Sequence, residues 1–295
     1  MKRIIIVFVL ILLAVTTARA ADVRGVWTAT SNDAGTMRLS ISRGTGMHDS
    51  ESWRTSDLRG LTEAQIASVT QVPVAFRVER EAGTLAFEGV FKLREGAGHF
   101  VFTPNARYLD TLRTLGVGMD IGRDKDPDEN LFELAIFDVS SNFIRAMQAE
   151  GYRETAKVYV EMRIFHVTPE LVREYRAAGY NDVPAKRLVE MQIHGATPQF
   201  IRDLAAAGYK DLAINRLVEF RIHGVTPERI RELHALGYDN VPANRLVEMQ
   251  IHGVTPQYIR ELAAAGYRNV PVEKLVEMRI HGIDADFAKR MNGKQ

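Results

Sequence analysis

A unit of 29 residues recurs through the C-terminal half of the chain. Two columns of equivalent positions show the period, a glutamate at Glu161, Glu190, Glu219, Glu248 and Glu277 and an isoleucine at Ile164, Ile193, Ile222, Ile251 and Ile280. A fixed period of this size is typical of arrays whose units bury their apolar faces against their neighbours. The repeat therefore favours a stack of similar units over one closed core in this half.

Each unit carries the start and stop signals of two short helices. Thr226-Pro227 predicts an N-cap followed by proline at the first helical position. Gly237-Tyr238 predicts a left-handed helix stop, and a second helix is predicted from near Pro242 to His252-Gly253. Helices of about ten residues are marginal alone, because isolated helices need roughly 12–15 residues. The pattern therefore predicts an α-solenoid of helical hairpins.

One variation alternates between successive units. The residue before the helix-ending isoleucine and the residue after Thr-Pro change together, seven positions apart: Arg163 with Glu170, Gln192 with Gln199, Arg221 with Glu228, and Gln250 with Gln257. We predict that each pair touches across the glycine turn, as an ion pair in alternate units and as an amide pair in the others. The alternation also indicates duplication of a 58-residue double unit.

The segment from Val23 to Phe102 has the short alternating runs of antiparallel strands. Two strands are predicted around a turn at Asn32–Gly35, and a three-strand meander is predicted with connections at Ala82-Gly83 and Glu95–Gly98. Between these two groups the chain is polar and glycine-bearing, and we predict no strand there.

Helices are predicted at two places in the same third of the chain. Residues 61–66 form one short helix, and Thr103-Pro104 opens a second, which continues through Leu115 and covers one face of the sheet. Further on, Leu131–Ile136 aligns with Tyr159–Ile164 of the next unit, so the array is predicted to begin with a lone second helix.

The sequence therefore predicts an α+β protein, with a small N-terminal antiparallel β-sheet domain followed by an α-helical hairpin array. The predicted segments are a signal peptide at 1–20, the β domain with its C-terminal helix at 21–118, a linker at 119–126 and the repeats at 127–295.

The start of the chain is organised like a secretory signal peptide. Lys2 and Arg3 precede an apolar run from Ile4 to Val15, and Ala18-Arg19-Ala20 places small residues before a cut at Ala21. The run is too short to span ~30 Å of hydrocarbon as a helix, so a membrane anchor is the weaker interpretation. We expect a periplasmic or secreted mature protein without stable membrane insertion.

Charge and cysteine content exclude several kinds of partner and chemistry. The chain has 38 Lys and Arg, 37 Asp and Glu, and no Cys. Loss of Lys2, Arg3 and Arg19 with the signal would leave 35 basic against 37 acidic residues, a balance of −2. A mildly acidic exported protein is a poor candidate for nucleic-acid binding. Without cysteine there are no disulfides, thiolate metal sites or thiol nucleophiles.

Four recurring columns could be functional, and for each we favour a structural interpretation. Histidines at His194, His223, His252 and His281 recur roughly 10 Å apart, too far to share one zinc ion, and suit the C-terminal dipole of a helix. The glutamate column and the arginines at Arg145, Arg173, Arg202, Arg231 and Arg260 predict an intramolecular ladder, with a ligand-binding stripe as the alternative. Tyrosines at Tyr152, Tyr180, Tyr209, Tyr238 and Tyr267 are predicted to pack on helix ends.

No motif of a known catalytic class is present. The sequence lacks His-Glu-x-x-His, Gly-x-Ser-x-Gly and a Walker loop. We therefore expect no enzyme activity, no cofactor and no metal, with an envelope hydrolase of unrecognised type as the alternative.

Segments of the repeat and of the β domain carry a family resemblance. They are Ile222–Leu233 and Gly237–Met249 in the repeats and Phe76–Thr84, followed by Phe87-Glu88-Gly89, in the β domain. These segments resemble the extracytoplasmic end of some bacterial BlaR-type membrane metallopeptidases and of small secreted relatives. The metallopeptidase motif and the Ser-x-x-Lys of the antibiotic sensor are absent, so neither activity carries over. The resemblance implies a bacterial envelope setting and an association with sensing.

We expect a non-enzymatic binding or scaffold protein, with a sensor accessory as its narrower form and an envelope protein or peptide as partner. The predicted partner-binding residues share one position of the first helix and differ between units: Leu171, Phe200, Arg229 and Tyr258. Variation there is either tolerated at an exposed surface or used for specificity, with Phe200 and Tyr258 as aromatic anchors.

Overall fold

The computed structural model describes residues 23–31, 35–43, 46–119 and 127–292. The predicted signal peptide, part of the first turn and most of the predicted linker lie outside the described residues. Contacts separate two compact units, which fall within 1–110 with 122–136 and within 111–121 with 137–295. No helix in the described part of the chain is long and apolar enough to cross a membrane.

The first unit is built on a six-stranded antiparallel sheet with the order β3-β2-β1-β6-β5-β4. The strands are β1 (Val23–Ser31), β2 (Thr36–Arg43), β3 (Gly46–Arg54), β4 (Val72–Arg80), β5 (Gly83–Lys92) and β6 (Glu95–Pro104). This confirms the two predicted groups of strands and the α+β class. Sequence analysis missed β3, which lies at the sheet edge and pairs only with β2, so its polar residues need no alternating pattern.

The connection between β5 and β6 differs from the prediction. The turn is formed by Leu93 and Arg94, which have φ of 51° and 67°, as a two-residue turn with two left-handed positions requires. The glycines expected in the turn, Gly96 and Gly98, lie inside β6. They are needed there because the ring of Phe91 lies 2.6 Å from where a Cβ on Gly96 would be.

Trp27 explains one further glycine in the strands, Gly89 on β5. Its indole Nε1 donates to the carbonyl oxygens of Glu88 and His99, at 3.2 and 3.1 Å. A Cβ on Gly89 would come within 2.7 Å of the indole and 2.2 Å of a backbone oxygen of β6. Gly89 therefore allows the indole to lie against backbone in the core of the sheet.

The predicted second helix of this third of the chain is present but begins later than expected. Thr103 and Pro104 pair with β5 and end β6, so the predicted helix start there is wrong. The short helix α1 (Glu63–Ile66) is confirmed, and α2 (Arg107–Thr114) begins three residues after the strand. The next helix, α3 (Pro127–Ile136), packs on β1, β5 and β6.

Phe132 on α3 holds that helix to the sheet. Its ring stacks on Phe100 at 5.7 Å and meets Phe102 edge-on at 5.4 Å. Sequence analysis assigned α3 to the array because its apolar residues align with those of the repeats. The aromatic contacts instead place α3 with the sheet, since large apolar rings pack best against other rings in a core.

Gly98→Ala is expected to lower the free energy of unfolding by about 2–3 kcal/mol, because the added Cβ would meet the backbone. The Cβ would lie 2.0 Å from the Glu88 carbonyl oxygen. Chemical denaturation measures the loss. Gly118→Ala is the control, because nothing lies within 4 Å of its Cβ. Equal stability of the two variants would contradict this account of β6.

The second unit consists of short paired helices. They are α4 (Ser141–Ala149), α5 (Ala156–Ile164), α6 (Pro169–Ala177), α7 (Ala185–Ile193), α8 (Pro198–Ala206), α9 (Ile214–His223), α10 (Pro227–Ala235), α11 (Ala243–Ile251), α12 (Pro256–Ala264), α13 (Val272–Ile280) and α14 (Ala285–Asn292). We call the even-numbered members, α4 to α14, first-type helices and the odd-numbered ones, α5 to α13, second-type helices.

The predicted caps are confirmed. In α6, α8, α10 and α12 the threonine hydroxyl accepts a hydrogen bond from the backbone N–H three residues later, and proline follows the threonine. Ser140 takes the same role for α4 and Asp284 for α14. Each cap satisfies a backbone donor that the helix itself leaves unpaired.

The predicted helix stops are confirmed as well. Glycines after the first-type helices have φ between 83° and 96°, and those after the second-type helices have φ between 68° and 71°. Tyr209 N–H reaches back to the Leu204 carbonyl at 2.9 Å, which closes the last turn. His166 occupies the glycine position after α5 and adopts the same left-handed conformation, with φ 54°.

Helices of one type contact each other in succession. Second-type helices α5, α7, α9, α11 and α13 each meet the next, and first-type helices α6, α8, α10, α12 and α14 do the same. Neighbouring pairs therefore bury their apolar sides against each other, as the length of the helices requires.

Tyrosine hydroxyls link successive pairs, which sequence analysis did not predict. Each donates to a carbonyl in the loop of the next pair: Tyr152 to Val183, Tyr180 to Leu212, Tyr209 to Val241, and Tyr238 to Val270. Burial raises the pKa of Tyr209 above its ordinary value of 10.0. The contribution of this bond to stability is therefore present below about pH 10 and is lost as pH rises through the folded-state pKa.

Tyr209→Phe is expected to cost about 1–2 kcal/mol of unfolding free energy, because the Val241 carbonyl loses its donor. Tyr267→Phe is the control, because the Tyr267 hydroxyl makes no such bond among the described residues. Urea denaturation at pH 7 and again above pH 10 measures both variants. A Tyr209 effect no larger than the control effect would show that the hydroxyl does not link the pairs.

Candidate functional site

The predicted aromatic anchors are buried. Phe200 is 7% exposed and Tyr258 is 4% exposed, while Leu171 and Arg229 are half-buried. The premise that this position is an exposed surface is therefore wrong for the two aromatic residues. Their side chains pack inside the helix array, and the Tyr258 hydroxyl donates to the Ile283 carbonyl at 2.7 Å.

Arginines from the following second-type helix cover these aromatic rings. Arg221 lies over Phe200 at 5.0 Å, and Arg279 lies over Tyr258 at 4.9 Å. The Nε of Arg221 also donates to the His194 carbonyl at 3.2 Å. Arg163 and Phe143 repeat the arrangement at 5.1 Å at the start of the array. These arginines hold three successive helices together by ring and backbone contacts.

The other units have glutamine at the position of the arginine. Arg229 donates to the Gln250 amide oxygen, and Gln192 donates to the Tyr175 hydroxyl at 2.7 Å. The predicted pairs seven residues apart are wrong, since Glu170 and Glu228 each bond to an arginine three residues later in their own helix. Three pairs instead join residues 21 positions apart, Phe200 with Arg221, Arg229 with Gln250 and Tyr258 with Arg279, whereas Gln192 bonds to Tyr175, 17 positions before it.

The predicted Glu–Arg ladder is also wrong in its partners. Each glutamate from Glu190 onward pairs with the basic residue three positions earlier on its own helix: Glu190 with Arg187, Glu219 with Arg216, Glu248 with Arg245, and Glu277 with Lys274. The helix geometry places residues three apart side by side, so the nearest cation is the local one. Pairs of this kind, which remain in contact with solvent, contribute little to stability.

The histidine column lies at the ends of the second-type helices. His194, His252 and His281 are the residues that follow α7, α11 and α13, and His223 is the last residue of α9. Among the described residues, no group of three His, Asp or Glu side chains is placed to hold a metal ion.

A row of exposed isoleucines is the most unusual surface of the second unit. Ile193, Ile222, Ile251 and Ile280 are 53%, 57%, 55% and 58% exposed. Ile193, Ile251 and Ile280 are the last residues of α7, α11 and α13, and Ile222 is the next-to-last residue of α9. These helices contact each other in succession. Packed helices lie roughly 8–10 Å apart, so the four side chains recur at about that spacing. We call these four residues the isoleucine row.

Polar residues share the face of the isoleucine row. Glu190 lies three residues before Ile193 and Lys186 lies seven before it, which places all three on one side of α7. The first-type helices expose a different set, such as Gln199, Arg202 and Ala206 on α8. The isoleucine row is thus an apolar line on an otherwise polar surface.

Sequence analysis identified this isoleucine column only as a marker of the period. The helical spacing from Lys186 and Glu190 was the signal that the column faces outward, because polar residues seven and three positions before the isoleucine lie on the same, solvent side of a short helix. Sequence alone did not favour that interpretation, because an isoleucine at a helix end also fits a buried position.

A second surface feature lies on the sheet of the first unit. An open depression of about 690 Å³ is lined by residues that include Thr28, Thr30, Val90, Lys92 and Ala97. It is largely open to solvent.

Comparison of the chain with protein families, with curated proteins and with solved structures finds no match. The site is therefore interpreted from its own geometry.

The contact between Phe200 and Arg221 is expected to show coupling in a double-mutant cycle. Phe200→Arg alone places two arginines together, and Arg221→Gln alone removes the cation over the ring. The double variant reproduces the Arg229–Gln250 pair, so its loss of unfolding free energy should be smaller than the sum of the single losses by about 0.5–1 kcal/mol.

The control cycle combines Phe200→Arg with Arg202→Gln. Arg202 is exposed on the same helix and bonds to Gln199. Urea denaturation should show additive losses in this control. Additive losses in the Phe200–Arg221 cycle as well would contradict the pairing.

Proposed function

We propose that this protein is a non-enzymatic binding or scaffold protein of the bacterial envelope and that its helix pairs stack as an open α-solenoid. The successive contacts within each helix type and the tyrosine bonds from one pair to the next support the stack. A stack of this kind presents equivalent residues of every unit in a line, which suits the binding of a protein or peptide.

The isoleucine row is the observation that carries the proposal. Single exposed apolar residues are commonplace, but four at equivalent positions on adjacent helices form a continuous line. Protein interfaces combine an apolar centre with a polar rim, and here the glutamate column and Lys186 supply that rim on one side. We assign partner binding to this face.

The envelope setting rests on the sequence. The charged start, the apolar run and the small residues before Ala21 support export, and the resemblance to extracytoplasmic repeats supports a role as an accessory to sensing. The partner is then an envelope protein or peptide.

A photo-activated crosslinking residue in place of Ile222 is expected to capture a polypeptide in intact cells, because the side chain is exposed on the proposed face. The same residue in place of Arg202, on the exposed side of a first-type helix, is the matched control. Mass spectrometry of the adducts identifies what is attached. Capture that is equal at both positions, or absent at Ile222, would contradict the proposal.

A further inference from the structure

We propose that the isoleucine row joins two copies of this chain in an antiparallel dimer, an inference that rests on the proposed function of the row as a protein-binding surface. The row spans four second-type helices, α7, α9, α11 and α13. A twofold axis through the row, midway between α9 and α11, places α7 of one copy opposite α13 of the other. The same axis places α9 opposite α11.

The column seven residues before each isoleucine changes its charge along the row. It reads Lys186, Asn215, Asn244 and Glu273, and all four side chains are exposed. No other exposed column on this face changes sign: the next position is basic in each of the four helices, and the glutamate column is acidic in each. The ends of the row therefore differ in charge through this one column.

The charge of each helix face follows from these three columns. On α7, Lys186 and Arg187 outweigh Glu190 and leave one positive charge. On α9 and α11, one basic residue balances one glutamate. On α13, Glu273 and Glu277 outweigh one lysine and leave one negative charge. Summed over these three columns, the charge is positive at α7, zero on α9 and α11 and negative at α13. Arg221 and Arg279, one residue before Ile222 and Ile280, lie over aromatic rings of the first-type helices.

This pattern is complementary to itself when it is reversed. In the antiparallel arrangement Lys186 of each copy faces Glu273 of the other, so the favourable charge contact occurs twice. The asparagines of α9 and α11 face each other and can exchange amide hydrogen bonds. A parallel arrangement would place Lys186 against Lys186 and Glu273 against Glu273, and like charges in contact disfavour it.

Glu273 remains available for such a contact. Its carboxylate lies 3.4 Å from the Nε of Arg245, yet its side chain is 62% exposed. The Lys186 side chain is exposed as well. The first unit of the array lies outside the dimer contact, because Ile164 is half-buried.

The size of the row sets the strength of the dimer. Four helices at roughly 10 Å spacing and a helix width of about 10–12 Å give a strip of roughly 400 Å² on each copy. The total, roughly 800 Å², is below the 1,200–2,000 Å² typical of stable complexes. We therefore expect a weak dimer that dissociates on dilution.

Sedimentation equilibrium of the purified protein over a wide concentration range is expected to show a monomer–dimer equilibrium. The double variant Ile222→Lys, Ile251→Lys places charge at the centre of the row and should raise the dissociation constant of the dimer at least about tenfold. Val69→Lys replaces an apolar residue that is 72% exposed in the first unit and serves as the control. Circular dichroism confirms that all variants keep their helices.

Charge reversal tests the antiparallel order. Lys186→Glu and Glu273→Lys should each weaken the dimer, because each places like charges together at both ends. The two changes combined restore the opposite charges and should return the dissociation constant to within about threefold of the unaltered protein. High salt should reduce these differences.

Three results would overturn the inference. They are an unaltered protein that stays monomeric at the highest concentration, an association that survives the two isoleucine changes, and a charge-reversed pair that is no tighter than its single variants. If the protein is monomeric but crosslinks a different polypeptide through Ile222, the self-association is wrong and the proposed binding function stands. If Ile222 captures nothing and the dimer is also absent, both are wrong.

Discussion

The second unit depends on the burial of helices that are too short to exist alone. Its members have eight to ten residues, below the length at which an isolated helix is stable in water. Each second-type helix therefore buries one face, which in α9 consists of Leu217, Val218 and Phe220. The caps determine where each helix begins and ends, but the contacts between pairs make the helices stable. The tyrosine hydrogen bonds also orient each pair relative to the next, because each hydroxyl donates to a carbonyl of the following loop.

This constraint divides the columns of the repeat into internal and external ones. The alternation of aromatic residues with arginine, and of the other residues with glutamine, is internal, because Phe200 and Tyr258 are buried beneath guanidinium groups. It therefore stabilises contacts between helices. The column from Lys186 to Glu273 is external and changes gradually from basic to acidic. A position that varies between units can therefore be internal or external, and only the burial of its side chain distinguishes the two.

The features that sequence predicted best are local in the chain. Caps, glycine stops and most strands follow from residues within a few positions of each other, and the threonine caps and left-handed glycines were found where expected. The errors concern residues that meet across the fold. Gly96 and Gly98 carry a turn signal, but they stand in a strand because Phe91 and the backbone of β5 occupy the space of a Cβ. Arg221 was paired with the wrong residue because sequence does not show which helix lies beside it.

The exposed isoleucines are best understood from what folding alone would require. Each isoleucine side chain is more than half exposed, so folding has already buried the part that its own array covers. Covering the rest of such a side chain contributes only about 1 kcal/mol. Eight of these side chains in a paired row would contribute about 8 kcal/mol, which falls within the roughly 4–15 kcal/mol that association costs in lost freedom. The apolar contact by itself is therefore close to balance. Small charge effects at the ends of the row then decide whether two such surfaces associate and in which orientation. The column from Lys186 to Glu273 therefore has a larger influence than its few residues would otherwise have.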